Sequence, residues 1–407
     1  MKHVDFIIAG AGASGLSLLH RMMNHPFFAS SSILVIDQSL KPNTEKTWCF
    51  WSKEQDPYGY GSMLEHSWTS LRIGSPSVQK QEEIAPYTYH CLRSETFSKT
   101  ILKQAHEASN ITLLEATIES FDQEGQQAVV NTSRGVYSAP WCFQSVIAKK
   151  VVDPNNHNQN ELNQNENRKK TSDIALVQHF TGWEIKTKDP VFDPSAAVLM
   201  DFDTPQGNGL TFMYTLPFSP TTTLIECTLF SKTRMDESFY EQSIATYIQN
   251  EYDLSKGQYT ITRKESGNIP METTHYASKL NDRTLCMGQW AGHTKPSTGY
   301  TFSRIQTQVD QVITQLVART SPKPAGQSPT RFRIYDLMLL SILDHESSKG
   351  LPIFDTLFRR NSIHDILRFL DESSHLGQEL WIFSRLPYGP FFRSMARHPM
   401  KILQGGS

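Results

Sequence analysis

The sequence has few cysteines, almost no excess charge and no regular metal-ligand spacing, and each shortage excludes a class of protein. Five cysteines are scattered along 407 residues without a CxxC pair, which argues against a disulfide framework and predicts a reducing compartment. The fourteen histidines form no HxxxH pair, so we predict no metal site. A formal net charge of −2 provides no basic field for nucleic acid.

Long apolar segments are also lacking. No run approaches the roughly 18 to 20 residues that a membrane-spanning helix needs. Asp5 opens the first apolar stretch and no cleavage pattern follows, so we do not expect a secretory signal. These features predict a cytoplasmic protein, and its length predicts two or three domains.

The start of the chain has the pattern of a strand, a glycine-rich turn, a helix and a second strand. The turn from Gly10 to Gly15 has GxGxxG spacing, and Asp37 closes the second strand roughly 20 residues further on. Glycines at these positions permit a tight turn and close approach to a pyrophosphate, and the acidic residue can hold a ribose hydroxyl. The motif predicts a dinucleotide site made by Gly10, Ala11, Gly12, Ser14, Gly15 and Asp37.

The position of this unit favours FAD over a nicotinamide. It lies at the N-terminus, and a second glycine-containing segment follows late in the chain, from Leu285 to Phe302. Arg93 precedes a helix that Ser94 could cap, and it is a candidate donor to the cofactor diphosphate or ribityl region. A structural arginine at the surface is the alternative.

The remaining chain predicts an α/β fold with separate parts. Alternating apolar residues from Ile174 to Ser231 predict the antiparallel sheet of a substrate domain, and the pattern from Phe332 on is helical. The polar stretch from Asp153 to Lys170 is interpreted as a mobile surface loop. We therefore predict three parts: a discontinuous cofactor domain at 1–150 and 268–325, a substrate domain at 171–267 and a helical part at 326–407.

Several strings resemble the lycopene β-cyclase family, in the same order and over most of the chain. They are IIAGAGASGLSLL, KTWCFW at Lys46 to Trp51, QHFTGWEI at Gln178 to Ile185, DFDTPQ at Asp201 to Gln206, LPFSPTTTLIECTLFS at Leu216 to Ser231, and GQWAGHTKPSTGYTF at Gly288 to Phe302. The resemblance implies a glutathione-reductase-like or hydroxylase-like FAD fold. It also implies reduced FAD, NADPH as reductant, and the redox-neutral cyclisation of the ψ-ends of lycopene to β-ionone rings.

The resemblance extends to the second glycine segment and shows two departures. It assigns Gly288, Gly292, Thr298 and Gly299 to a loop near the flavin; a turn with only packing duties is the alternative. The family often has two adjacent carboxylates in its acidic motif, whereas here Cys227 follows a single glutamate. Gln289 stands where hydroxylase relatives usually have an aspartate, which weighs against oxygenation.

The chemistry implied for lycopene requires an acid, because the alkene must be protonated before a ring closes through a tertiary carbocation. Glu226 is the predicted acid, since on a strand it shares a face with Leu224 and Phe230, and burial raises a carboxyl pKa. A half-exposed surface glutamate is the alternative. Aromatic faces can steady the cation, and the candidates for substrate contact are Trp48, Phe50, Trp51, Trp183, Phe212 and Tyr300.

The C-terminal stretch predicts a peripheral contact with the inner membrane. After Glu379 it has Arg385, Arg393, Arg397 and Lys401 beside aromatic residues and no acidic residue. A helix packed on the cofactor domain is the alternative. Two other functions remain open at this point: an FAD monooxygenase or prenyl-chain reductase, and a non-enzymatic flavin or carotenoid binder. One-end or two-end closure, ring type (β or ε) and oligomeric state also stay open.

Overall fold

The computed structural model describes residues 1–44, 46–146, 174–207, 209–273, 276–324, 326, 328–403 and 405, so the predicted loop at Asp153 to Lys170 lies outside the described residues. The strands are β1 (Lys2–His3), β2 (Phe6–Ala9), β3 (Ile33–Asp37), β4 (Thr47–Ser52), β5 (Leu64–Trp68), β6 (Ser70–Ser75), β7 (Val78–Glu83), β8 (Thr88–Arg93), β9 (Ile111–Glu115), β10 (Ile118–Glu124), β11 (Gln127–Thr132), β12 (Gly135–Ala139), β13 (Trp141–Gln144), β14 (Ala175–Thr187), β15 (Ala196–Asp201), β16 (Leu210–Ser219), β17 (Thr222–Ser231), β18 (Tyr259–Glu272), β19 (Lys279–Asn281) and β20 (Thr284–Cys286). The helices are α1 (Ala13–Met23), α2 (Ser94–Glu107), α3 (Glu237–Tyr252), α4 (Phe302–Val317), α5 (Thr330–His345), α6 (Gly350–Arg360), α7 (Ile363–Leu370), α8 (Leu376–Phe383), α9 (Tyr388–Arg397) and α10 (Pro399–Leu403).

A six-stranded sheet forms the first layer, with the order β19-β20-β13-β2-β3-β9 and parallel pairing from β20 to β9. The predicted strand, turn, helix and strand at its centre are confirmed as β2, α1 and β3. These strands are apolar throughout because both faces are covered. Helices α1, α2 and α4 pack on one face, and the sheet β1-β12-β11-β10 packs on the other.

A seven-stranded sheet forms the second layer, in the order β18-β14-β17-β16-β15-β6-β7. The predicted β-rich segment is confirmed, and β16 and β17 form an antiparallel hairpin. The sheet also recruits β6 and β7, which lie inside the range 1–150 predicted for the cofactor domain, because β6 pairs in parallel with β15. That predicted boundary is therefore wrong for these two strands.

The two faces of the seven-stranded sheet have different covers. Helix α3 packs on one face through Tyr240, Ile244 and Ile248. The other face meets the small sheet β4-β8-β5 and the C-terminal helices, whose buried side chains include Leu340 and Phe358. The predicted helical character of the C-terminal part is confirmed. Because these helices bury their apolar stripes against it, they close one side of the sheet.

Candidate functional site

The first glycine loop has the geometry of an anion site at a helix N-terminus. Gly10 has φ +108°, a conformation that L side chains rarely adopt, and a Cβ on Gly15 would lie 1.8 Å from the Gly10 carbonyl oxygen. Gly12 precedes α1, and no heavy atom lies within 4 Å of the place its Cβ would occupy. The open side of the loop therefore presents backbone N–H groups and the positive end of the helix dipole.

Asp37 closes the loop from the end of β3. Its Oδ2 accepts a hydrogen bond from the Ala11 backbone N–H at 2.6 Å, and its Oδ1 accepts one from the Ser39 N–H at 3.0 Å. In the structure these hydrogen bonds hold the loop in place and fix the Asp37 carboxylate beside the glycines. Its predicted contact with a ribose hydroxyl stays a prediction.

The second glycine segment packs against the first. Gly288 has φ +64°, and a Cβ there would lie 2.0 Å from the Ser14 Oγ. Its N–H donates to the Gln308 Oε1 at 2.9 Å, which ties the segment to α4. Gly292, with φ +76°, ends the short helical turn that begins at Gly288. The two glycine-containing segments, far apart in sequence, thus form one continuous backbone surface.

The same segment also reaches the seven-stranded sheet. Gly299 has φ +71°, and a Cβ there would lie 2.5 Å from Oε1 of Gln178 on β14. The Gly299 and Thr298 N–H groups both donate to the Lys295 carbonyl oxygen, which makes the turn tight. The segment therefore lies between the first glycine loop and the seven-stranded sheet.

Glu226 lies in a row of side chains that crosses this sheet. In the strand register, Gly182 of β14 is opposite both Glu226 of β17 and Glu265 of β18, and Tyr214 of β16 is opposite Glu226. Residues opposite each other in a sheet point to the same face. Because Gly182 has no side chain, the two carboxyls meet across β14 and share a hydrogen bond.

Burial sets the protonation state of Glu226. The side chain is 9% exposed. Burial raises its pKa well above the ordinary value, and the charge and hydrogen bond of Glu265 raise it further, while Arg263 opposes the shift. The surroundings of Glu226 therefore favour its neutral, protonated form, as a proton donor requires.

Glu265 is held by charged and polar neighbours. Its Oε2 accepts a hydrogen bond from the Thr47 Oγ1 at 2.8 Å and forms an ion pair with Arg263 Nη1 at 2.7 Å. Arg263 also pairs with Glu184, which in turn pairs with Arg93 at 2.7 Å. Arg93 is thus part of a network of ion pairs beside the sheet, and it also pairs with Glu65 of β5 at 2.9 Å. Its predicted contact with the cofactor stays a prediction that this placement does not support.

A cluster of three phenols lies on the Glu226 side of the sheet: Tyr214 is the neighbour of Glu226 on β16, the buried Tyr89 comes from the small sheet, and Tyr300 comes from the second glycine segment. The Tyr89 and Tyr214 hydroxyls are hydrogen-bonded at 2.8 Å, and burial raises the pKa of both. The Tyr300 ring meets Trp51 edge to face, with ring centroids 4.9 Å apart, and burial raises the pKa of Tyr300 also. All these phenols are neutral, so they add a polar but uncharged aromatic surface to the site.

The structure separates the predicted aromatic contacts into two groups. Trp51, Phe212 and Tyr300 belong to the core that contains the Glu226 face of the sheet. Trp48 and Phe50 point to the other side of β4, where both stack on Phe302 of α4 in the core beside the six-stranded sheet. Trp183 lies on the α3 side of the seven-stranded sheet. The alternation of side chains along a strand, which the string KTWCFW hides, explains this separation.

Three residues at the site were missed by the sequence analysis. Glu265 lies on β18, whose polar sequence TRKESGN carries no apolar alternation, so only the strand register reveals it. Cys49 lies on the same side of β4 as Trp51, and Tyr89 of β8 is opposite Trp51, so both face the same region. The pairing of β18 with β14 places Glu265 at the site, and the pairing of β4 with β8 places Cys49 and Tyr89 there; neither pairing can be derived from the local sequence.

Comparison with known proteins places this geometry in a family context. The family model described as "Lycopene cyclase protein" matches residues 5–396. The lycopene beta-cyclase of Pantoea ananas is 27% identical over 311 residues, which are 74% of this chain and 71% of that protein. The lycopene beta-cyclase of a Paracoccus species is 32% identical over 348 residues, which are 83% of this chain and 78% of that protein.

Solved structures show the same fold at low sequence identity. A flavoprotein/dehydrogenase from Cytophaga hutchinsonii superposes with a TM-score of 0.59 at 12% identity and covers 100% of both chains. A geranylgeranyl bacteriochlorophyll reductase-like protein from Thermoplasma acidophilum has a TM-score of 0.54 at 11% identity, over 99% of this chain and 98% of that one. The predicted fold class, an α/β glutathione-reductase-like or hydroxylase-like arrangement with an antiparallel substrate sheet and C-terminal helices, is confirmed.

Proposed function

The chain belongs to the lycopene cyclase protein family, and from this premise we propose that it closes the ψ-ends of lycopene into β-ionone rings, which gives γ-carotene and β-carotene. The names of its curated relatives, all lycopene beta-cyclases, favour the β ring. The observation that carries the proposal is the buried Glu226, whose pKa burial raises and which lies opposite Tyr214 in a face lined by aromatic side chains. The reaction is an isomerisation within carotenoid biosynthesis.

Glu226 acts as the general acid in this proposal. Its carboxyl O–H bond breaks as a new C–H bond forms on the terminal alkene, which leaves a tertiary carbocation. The cation is attacked by a neighbouring double bond of the same chain, and the ring forms. Loss of a proton from a ring carbon completes the reaction, so no electrons are consumed.

The aromatic surface opposite the acid stabilises the positive charge. The faces of Trp51 and the three phenols present negative quadrupoles to a cation. Their raised pKa values keep the phenols neutral, so they do not quench the cation as phenolates would. Burial of the site excludes water, which would otherwise trap the cation as an alcohol.

The residues of the two glycine segments fit FAD, because the open side at Gly12 admits a pyrophosphate and the Gly288 backbone abuts Ser14. We propose that Gly10, Gly12, Gly15 and Asp37 hold the adenosine and diphosphate end, with Gly288 to Gly299 near the ring. When bound in its reduced form, FAD would supply negative charge beside the carbocation. NADPH as reductant is part of the same proposal and rests on the family resemblance.

A substitution at the junction of the two glycine segments tests the FAD proposal. Gly288→Ala places a methyl group against the Ser14 Oγ at a φ that favours glycine, so FAD affinity should fall at least about tenfold. The measurement is flavin fluorescence during titration of the purified apoprotein. Gly326→Ala is the control, because no other part of the described chain lies within 4 Å of a Cβ there. Equal FAD affinity in both variants would contradict this placement.

We also propose a contact with the membrane surface, where lycopene resides. The described residues contain no helix long and apolar enough to span a bilayer. Large apolar side chains are nevertheless exposed along α8, α9 and α10: Leu376, Leu380, Trp381, Tyr388, Phe392, Met395, Met400 and Leu403. The Arg385 guanidinium lies 3.9 Å above the Trp381 ring, and such pairs of arginine and tryptophan suit the headgroup region.

Flotation with anionic liposomes tests the membrane contact. Trp381→Ser combined with Phe392→Ser should reduce the bound fraction several-fold, because both side chains are more than half exposed and bear little of the folded core. Ile261→Ser, an exposed apolar residue on β18, is the control. Equal flotation of both variants and the unaltered protein would refute a contact through this surface.

The cyclase proposal is tested by expression of the chain in lycopene-accumulating bacteria. The extracted pigments should shift from lycopene to γ-carotene and β-carotene, and their ratio reports one-end or two-end closure. Unchanged lycopene, with purified protein that binds FAD, would contradict cyclisation and favour oxygenase or reductase chemistry on the same fold.

A further inference from the structure

The two carboxyls of the site, Glu226 and Glu265, have unequal surroundings. Glu265 is anchored from two strands, by the Thr47 hydroxyl of β4 and the Arg263 guanidinium of β18. Its side chain is only 2% exposed, so these partners replace water. Glu226 is flanked instead by Gly182 and Tyr214, beside the apolar core. A cation beside one member of a carboxyl pair favours ionisation of that member and leaves the proton on the other.

We propose that Glu265 is the positioning residue for the acid: it accepts the hydrogen bond of the Glu226 carboxyl across Gly182, keeps the proton on Glu226, and fixes the direction in which that proton is presented. The inference rests on the proposed cyclase function and deepens it. Glu265 itself does not touch the substrate, because its Oε2 is occupied by Thr47 and Arg263.

The pair also accounts for the proton through one turnover. The Glu226 O–H bond breaks when the alkene is protonated, so two carboxylates then lie together with Arg263 as their nearest cation. This arrangement raises the basicity of Glu226 after it has given up its proton. The proton released by the ring carbon therefore returns to Glu226, and the pair regains its initial charge without an external base.

Several other titratable and charged groups face this pair. The pair Glu184 and Arg93 lies beside Arg263, and Arg93 also binds a glutamate of β5. Four uncharged side chains also lie next to Glu226 and Glu265: Cys49 from β4, Tyr89 from β8, Tyr214 from β16 and Tyr300 from the second glycine segment. Burial keeps the three phenols neutral. Burial of Glu226 itself is the largest cause of its raised pKa, the charge of Glu265 raises the pKa further, and Arg263 opposes the shift.

Two substitutions with opposite effects test the proposal. Because Glu226 acts when protonated, activity is lost as the pH rises through its raised pKa. Glu265→Gln removes the negative neighbour and leaves Arg263, so the pKa of Glu226 falls and activity is lost at a lower pH. Arg263→Gln removes the cation, so activity extends to a higher pH. In the alkaline pH range where activity declines, we expect Glu265→Gln to be roughly tenfold slower than the unaltered protein. Its activity should recover when the pH is lowered.

The control has the same charge change at another place. Glu241 lies on α3, 38% exposed, and pairs with Lys264, on the opposite side of β18 from Glu265. Glu241→Gln should leave the pH profile unchanged. The proposal would be overturned if Glu265→Gln lost its activity at the same alkaline pH as this control. It would also be overturned if that pH shifted in the same direction in Glu265→Gln and Arg263→Gln.

A second readout separates this proposal from the cyclase function. The infrared carbonyl band of a protonated carboxyl, absent in Glu226→Gln, can be titrated in the folded protein without lycopene. The band should disappear at a lower pH in Glu265→Gln and at a higher pH in Arg263→Gln. If the unaltered protein does not cyclise lycopene, the proposed function fails while this titration still decides the role of Glu265. If Glu265→Gln does not fold, an unshifted band in Arg263→Gln overturns the proposal, and an alkaline shift supports it.

Discussion

Gly182 lies between Glu226 and Glu265 in the strand register, and its missing side chain lets the two carboxyls meet. A Cβ at this position would lie 2.7 Å from the Glu226 Cγ, a separation that folded proteins do not tolerate. The sequence predicted Glu226 from its place on an apolar strand, and the register then supplied its partner. A glycine in the middle of a strand pattern is a sign of such close approach, but the pattern does not say which side chain needs the room.

Gly182→Ala should therefore abolish most of the activity while the sheet persists. The added methyl group pushes the Glu226 side chain aside, and a misplacement of about 1 Å costs on the order of 100-fold in rate. Steady-state cyclisation in liposomes measures this, with circular dichroism as the check of folding. Gly326→Ala should be as active as the unaltered protein, and a Gly182→Ala variant with full activity would show that the carboxyl contact is dispensable.

Strand β4 illustrates what is decided at the scale of an element. Its string KTWCFW offered three aromatic candidates for substrate contact, and the sequence did not say which side of the strand faces the sheet. Pairing with β8 resolves this, since Trp51 lies opposite Tyr89 on the side that faces Glu226, while Trp48 and Phe50 pack against α4. The local sequence pattern indicates where the strand is, but only its pairing with a distant strand determines which side chains point to which face.

The orientation of β4 predicts different outcomes for its two tryptophans. Trp48→Leu and Trp51→Leu should each lower the free energy of unfolding by about 2 kcal/mol, since both rings are packed. Only Trp51→Leu should also slow cyclisation by the folded, FAD-saturated protein, because only this ring faces the acid. Urea denaturation and cyclisation assays measure the two quantities. A larger loss of kcat in Trp48→Leu would reverse the assignment.

At the scale of the whole molecule, a buried ion cluster joins the second glycine segment to the C-terminal helices. The Lys295 Nζ lies 3.2 Å from Asp336 on α5 and 2.8 Å from Glu372, which follows α7. The Lys295 side chain is 3% exposed and that of Asp336 4%. Sequence patterns predicted the helical C-terminal part and the α/β class. This docking was not predictable, because it depends on ion pairs between residues far apart in the chain.

Removal of the central cation should loosen the whole assembly. Lys295→Met leaves the buried Asp336 carboxylate without its cation and leaves Glu372 with Arg304 alone, which destabilises the fold by about 3 kcal/mol. Although burial raises it, Lys295 and Arg304 together lower the pKa of Glu372 below its ordinary value. The stabilisation by this cluster is therefore present above the ordinary glutamate pKa and is lost as the pH falls through the lowered value. Urea unfolding measured across that acid range should show that the free energy of unfolding falls less with pH in Lys295→Met than in the unaltered protein. An equal fall in both proteins would contradict the stabilising role of Lys295.

The central claim is that Glu226 supplies the proton for ring closure, and Glu226→Gln tests it most directly. Glutamine has nearly the same shape and keeps a hydrogen-bond donor, but it has no proton to give. In lycopene-accumulating bacteria the variant should leave lycopene unchanged, while the purified variant still folds and binds FAD like the unaltered protein. Conversion of lycopene to γ-carotene or β-carotene by Glu226→Gln at a comparable rate would contradict the account.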